Sequence, residues 1–265
     1  MNVFGTLSPD GSPIFLSCLP NERGNGSPTH RYARNEDELQ KFITDHDKEG
    51  FALYRAASIL NDGAWRKKEE VRAAHWVWAE VDFKDHPDLS QEEIRRRLDG
   101  MPIRPTLIVF SGHGYHLWWK LREAIDARPG EAQRRLEEVL RLACAHVGGD
   151  PQVAEVARLM RLPGSHNTRH PGEKILVEIV THNPNLAYEL DELTDAWLEA
   201  RPVLPERTSP ERGNGHSNTA DFDFSHVVTN PDARLAAMRF KGPDDTSIHH
   251  AVIGDGLTNR RRPAG

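Results

Sequence analysis

Cysteine is nearly missing from this 265-residue chain: Cys18 and Cys144 are the only two, far apart and in no CxxC pair. Neither a disulfide framework nor a cysteine zinc site is supported, and both read as small apolar residues. Long apolar runs are missing too. The richest, Leu107 to Phe110, is far short of the roughly 20 residues that a spanning helix needs, so no membrane partner is expected. No basic segment followed by an apolar one opens the sequence, so a secretory signal is not expected and the cytoplasm is the expected compartment. Positive charge is not in excess, since 34 Lys and Arg against 40 Asp and Glu give a net charge of -6. That balance excludes a global basic footprint for nucleic acid and requires any such surface to be local. No internal repeat is present, which excludes a solenoid.

What is there is segregated. Residues 158–174 carry Arg158, Arg161, Arg169 and Lys174 against Glu173 alone, whereas residues 80–99 are rich in acids. Residues 201–220, RPVLPERTSPERGNGHSNTA, have turn-forming composition and no apolar periodicity and read as a linker. The main domain is therefore expected over residues 1–200, with residues 221–265 a partly ordered tail too poor in large apolar side chains for a core of its own. Within the main domain, Asn35 caps a helix whose Leu39, Phe42 and Ile43 share one face, closed by Gly50. Ser90 opens a second helix with Glu93 in capping-box position. A third, after Pro129, aligns Leu136, Val139, Leu140, Ala143 and Val147 and ends at Gly148 and Gly149, and a fourth covers Glu189 to Ala200. FALYR at 51–55, HWVWAEVDF at 75–83, TLIVFS at 106–111, YHLWWKL at 115–121 and ILVEIV at 175–180 read as strands, two of them joined by a glycine turn at 112–114. Helices and hairpins intermingle, so the fold class is α+β.

Three segments carry chemistry. In HWVWAEVDF the alternation puts Glu80 and Asp82 on one face, Cα atoms roughly 6.6 Å apart, a pair that grips divalent cations or sits in water at a strand end. In SGHGYH, Gly112 and Gly114 let backbone amides approach a phosphate, with His116 placed to hydrogen-bond it; read alone, the segment favours a plain β-turn with a surface histidine, and beside the paired acids it favours the phosphate. His113 and His116 as metal ligands lack a third histidine nearby in sequence. The third segment runs from Asp150 through Arg158 and Arg161 to the turn Pro163–Asn167. Its arginines suit bidentate contacts to a triphosphate or a template backbone, or else lie on a helix surface.

WVWAEVDF, SGHGYHLWW and GGDPQVAEVARLMRLPGSHNTR, in that order, resemble the archaeo-eukaryotic primase superfamily, specifically the primase-polymerase domains of plasmids, phages and integrated elements, over about residues 50–180. The resemblance implies a catalytic module related to the RNA-recognition-motif fold joined to an N-terminal α/β module. It implies a nucleotidyltransferase that makes or extends primers on a single-stranded DNA template. Glu80, Asp82 and Asp150 would then hold two Mg2+ or Mn2+ ions. Ser111, Gly112, His113, Gly114 and His116 would hold the nucleoside triphosphate, with Arg158, Arg161 and Asn167 near nucleotide or template. Glu178, mid-strand in ILVEIV, is the alternative third acid; a Gly-Gly-Asp loop that can swing toward Glu80 and Asp82 favours Asp150. The chain departs from the family in having Glu80 where aspartate is commoner. LAAMRFKGPDDTSIHH looks like the opening of the family's C-terminal helical segment, and no Walker A pattern follows, which leaves two alternatives, a separate replicative helicase as partner or a truncated gene. The rival readings are a noncatalytic DNA-binding replication protein with a degenerate primase fold, and a rolling-circle nuclease, whose two histidines flank one residue where His113 and His116 flank two.

Overall fold

A computed structural model describes residues 2–22 and 26–205, so the expected tail and most of the expected linker lie outside the described residues. The chain opens with α1 (Val3–Leu7), β1 (Ile14–Pro20) and β2 (Thr29–Ala33). α2 (Glu36–His46) is capped by the Asn35 side chain, which accepts from the Glu38 amide, and it buries Leu39, Phe42 and Ile43 as the periodicity predicts. It stops at Asp47; Gly50, with φ +81°, makes the turn into β3 (Phe51–Ala56) instead of closing the helix. β4 (Ile59–Leu60) and β5 (Val71–Asp82) follow, then α3 (Gln91–Asp99), β6 (Leu107–Phe110) and β7 (Gly114–Asp126). α4 (Glu131–Val147) leads to β8 (Leu159–Arg161), β9 (His166–Asn167), β10 (Ile175–Leu176), β11 (Glu178–His182) and α5 (Leu190–Glu199).

Every strand pair is antiparallel. One sheet has the order β2-β1-β3-β8, a larger one β11-β6-β7-β5-β4, and β9 with β10 forms a separate ribbon. Helices and antiparallel sheets together make the α+β class that the sequence predicts. β5 is the spine of the larger sheet. Trp76 to Ala79 and Val81 are all buried, so the middle of the strand is covered on both faces, with Arg72 and His75 before it and Glu80 and Asp82 toward its end. The two tryptophan N–H groups are satisfied inside the protein: Trp76 donates to the Leu7 carbonyl at 3.1 Å and Trp78 to the Val153 carbonyl at 3.0 Å. Burying large aromatics is worth about 1.5–3 kcal/mol each, provided such polar tips find partners.

Two further sequence expectations differ from the structure. ILVEIV is not one strand. The Val177 amide donates to Ser165 and its carbonyl accepts from Gly164, both at 2.8 Å, so the chain leaves the ribbon at Val177 and joins β6 from Glu178 onward. The packed chain also continues past Ala200: the Val203 amide donates to the His146 carbonyl at 2.7 Å and Leu204 is fully buried. Proline-rich composition marks where helices stop, and here two apolar residues beyond that point still find the core.

Candidate active site

The β5–β7 ladder sets Glu80 opposite His116 and Asp82 opposite Gly114. A Cβ on Gly114 would lie 2.1 Å from the Val81 carbonyl, so only glycine permits this approach. Asp82 ends the strand: its carboxylate accepts from the Lys84 amide and is in contact with the Lys84 ammonium.

β4 covers only the beginning of β5, and near Glu80 its place is taken by the exit of α4. Gly148 adopts the left-handed conformation (φ +66°) and the Gly149 amide returns to the Cys144 carbonyl at 2.8 Å, a glycine C-cap. Gly149 then lies so close to β5 that a Cβ would sit 2.3 Å from the Glu80 carbonyl. The next amide, of Asp150, donates to that same carbonyl at 3.1 Å. Asp150 is therefore pinned beside Glu80 by its backbone, in contrast to the swinging loop that the glycines suggest. Glu178 is exposed on β11, with β6 and β7 between it and β5, roughly 14 Å away at the usual strand spacing.

Burial pushes the Glu80 carboxyl above its ordinary range; the Arg158 guanidinium opposes this, and the charges of Asp150 and Asp82 reinforce it. Arg158 Nη2 stands 3.5 Å from Glu80 Oε2 and His116 Nε2 stands 3.9 Å from Glu80 Oε1. His116 is buried, and that burial, with Arg161, Arg158 and Arg55, holds its pKa down to about 3. The ring is neutral at physiological pH and carries one N–H. The Arg55 guanidinium lies over Trp118, 3.9 Å from the ring centroid, and joins the two sheets. Burial lowers its pKa to about 9, so it remains a cation at neutral pH.

The glycine turn is braced from outside. Ser111 donates to the Gly114 carbonyl through its amide at 2.9 Å and through its hydroxyl at 3.2 Å. Gly112 has φ +98°, and the buried Asn167 amide group donates to the Ser111 carbonyl at 2.8 Å while its oxygen accepts from the Arg169 amide at 3.1 Å. Ser111 and Asn167 thus fix the turn's shape with the groups that the sequence offers to a nucleotide. His113 turns toward Glu173, 3.3 Å from Nε2 to Oε2.

A cleft of about 200 Å³ opens between these parts, lined by Glu80, Asp82, Ser111, His113, His116, Arg158, Arg161 and Asn167. Asp150 approaches Glu80 but is not one of the lining residues. A second void, about 20 Å³ beside Arg55, has room for about one water.

No family profile matches the chain. A replication protein of Clostridium perfringens is 24% identical over 158 residues, which cover 56% of this chain and 37% of that protein. The chain thus spans well under half the length of this relative. The primase-polymerase domain of cyanophage S-2L, termed its AEP domain, superposes with a TM-score of 0.53 at 18% identity, over 76% of this chain and 94% of that one. The chain has the archaeo-eukaryotic primase fold. Primase RepB′ superposes with a TM-score of 0.47 at 15% identity, over 74% of this chain and 60% of that one.

The primase fold draws the three sequence segments to one place: the paired acids on β5, the glycine turn between β6 and β7, and the arginines at β8. Arg158 and Arg161 are not helical, as one sequence reading has it; Arg161 pairs in register with Tyr54 of β3, and its guanidinium lies 5.0 Å from that ring. Tyr54, Leu159 and Arg169 complete the lining and were not singled out from the sequence. For Tyr54 the available signal is the alternation in FALYR, where buried Leu53 and Arg55 flank a residue facing the other way. For Arg169 it is only membership of the basic segment.

Proposed function

We propose that the chain is a primase-polymerase, a nucleotidyltransferase that makes or extends primers on a single-stranded DNA template with Mg2+ or Mn2+. The observation that carries this reading is one cleft with Glu80 and Asp82 on one side and Arg158, Arg161 and Arg169 on another, inside a primase fold. The name of the Clostridium perfringens relative, a replication protein, agrees with it.

By donor type the acids suit a hard divalent cation, although among the described residues the ligand oxygens of Glu80, Asp82 and Asp150 do not all lie within 4.8 Å of one another. Glu80, Asp82 and Asp150 offer oxygens only; burial, reinforced by the charges of Asp150 and Asp82, lifts the Glu80 carboxyl, and a cation would relieve both. A metal bound there would lower the pKa of an attacking 3′-hydroxyl and neutralise charge on the leaving pyrophosphate. The protein's own groups do the positioning. Arg158, Arg161 and Arg169 oppose the triphosphate's charge, guanidinium forks matching phosphate oxygens. Neutral His116 has one N–H to donate, and it adds no cation that would compete with the metals. The cleft's volume of about 200 Å³ suits the phosphates of a nucleotide, leaving its base to meet the template outside.

A second reading has a specific observation in its favour. Glu80 already faces Arg158, and Asp82 already contacts Lys84, as in a noncatalytic DNA-binding replication protein whose acids have become structural. Incorporation of labelled nucleotides on single-stranded DNA, with Mg2+ or Mn2+, separates the two. The primase-polymerase reading expects incorporation that Asp82→Asn abolishes while DNA binding persists. DNA binding without any incorporation, by the unaltered chain, overturns it.

A further inference from the structure

We infer that His113, His170 and Glu173 form a transition-metal site, best suited to Zn2+, separate from the carboxylates of the cleft and independent of whether the chain makes primers. One ligand atom from each of the three lies within 4.8 Å of the others. His113 belongs to the glycine turn between β6 and β7; His170 and Glu173 belong to the loop between β9 and β10.

The local sequence builds the pair on that loop. In His170-Pro171-Gly172-Glu173 the Glu173 amide donates to the His170 carbonyl at 3.0 Å, and Gly172 has φ +79°. Proline followed by a left-handed glycine is the type II turn pattern, which brings its first and fourth residues together. The loop's base is held: the Thr168 hydroxyl donates to the Phe51 carbonyl and the Asn21 amide to the Thr168 carbonyl, both at 2.6 Å. His113 is presented from the opposite side by the turn that Asn167 braces.

The chemistry of the cluster is selective. His113 Nε2 is shielded from solvent and makes no hydrogen bond, although Glu173 Oε2 is 3.3 Å away. That separation is close to the edge of a ligand tetrahedron around zinc, about 3.3 Å for bonds of about 2.0–2.1 Å. The imidazole of His170 meets that of His113 edge to face, with 5.2 Å between ring centroids, so a modest rotation completes the set. Two imidazoles and one carboxylate select zinc or a similar borderline ion over Mg2+, which prefers oxygen. Such a metal would tie the β9–β10 loop to the glycine turn, adding to the hydrogen bond from Asn167 to Ser111. The fourth position stays open to water or to an oxygen of a bound anion.

The test uses the full chain, stripped with a chelator and then dialysed against Zn2+ in the presence of excess Mg2+, with bound zinc measured by elemental analysis and thermal unfolding followed in parallel. The expected result is about one zinc per chain that survives Asp82→Asn and is lost in both His170→Ala and Glu173→Gln, with at least about tenfold weaker zinc affinity in each. Zinc should raise the melting temperature of the unaltered chain and of Asp82→Asn, and not that of His170→Ala. Both altered positions are exposed, so the variants fold. No retained zinc in the unaltered chain, zinc retained in His170→Ala, or zinc lost in Asp82→Asn each overturns the assignment.

Discussion

Replacing Gly149 by alanine adds one methyl group at the point where α4's exit touches β5. The φ of Gly149 lies outside the left-handed region, so the backbone accepts alanine and only the contact opposes it. That contact is severe: the new Cβ would stand 2.3 Å from the Glu80 carbonyl oxygen, and both partners are backbone of packed elements. Overpacking of this kind costs about 1–3 kcal/mol, and losing the Asp150 to Glu80 hydrogen bond costs about 1 kcal/mol more. For a domain of this size the sum of about 2–4 kcal/mol lowers the melting temperature by roughly 4–16 °C. Because the shift moves Asp150 off Glu80, nucleotide incorporation should fall more than about tenfold at temperatures where the variant is still folded, the loss expected for a displaced catalytic group. Gly100→Ala is the control, since its Cβ would meet nothing nearer than 3.4 Å, and it should leave both quantities unchanged. Calorimetry and the incorporation assay read the two effects separately. Wild-type stability and activity in Gly149→Ala would refute the pinning of Asp150 by the glycine contact.

Three further outcomes are expected. Asp150→Ala should abolish incorporation at saturating metal while Glu178→Ala leaves it near wild type, and the reverse pattern would exchange the third metal ligand. A chain ending at Ala200 should unfold at lower denaturant than one ending at Pro205, because it lacks the buried Leu204 side chain, worth about 1.5–3 kcal/mol; equal midpoints would show that this packing contributes nothing. Burial raises the Asp10 carboxyl, but hydrogen bonds from Ser12 and His75 outweigh it and hold the pKa at about 2, below the ordinary 3.8. A depressed carboxylate stabilises the fold above its unfolded pKa and ceases to as pH falls through the folded one. Asp10 is solvent-accessible, so Asp10→Asn should cost under about 1 kcal/mol at pH 7, shrinking through the acid range and vanishing only below about pH 2; a pH-independent difference would exclude the charge as its cause.

Local signals were legible in the sequence, and non-local ones were not. Alternation in HWVWAEVDF places Glu80 and Asp82 correctly at a strand end, because side-chain period is a property of the strand itself. Asn35 and Ser90 cap their helices for an equally local reason, an orphan amide two or three residues on. Gly149 could be read as a helix stop, but its role as the one residue thin enough to dock on β5 depends on a strand 69 positions earlier. The split at Val177 is hidden likewise, since its partners Gly164 and Ser165 belong to another segment, and a run of six with five apolar residues looks the same whichever sheet receives it. The sequence offers Asn167 as a ligand group, and only the fold reveals that its amide is occupied by the Ser111 carbonyl.

The pairing of β3 with β8, Tyr54 against Arg161, joins segments separated by nearly the whole of the larger sheet. Closing so long a loop is entropically unfavourable until other contacts have shortened the effective distance, and such pairings belong to the late, slow part of folding. The carboxylates on β5 lie opposite His116 and Gly114 of β7, a pairing of much shorter sequence separation. The acidic wall of the cleft should therefore form before the arginine wall, and during refolding a cation-binding signal should precede an anion-binding one.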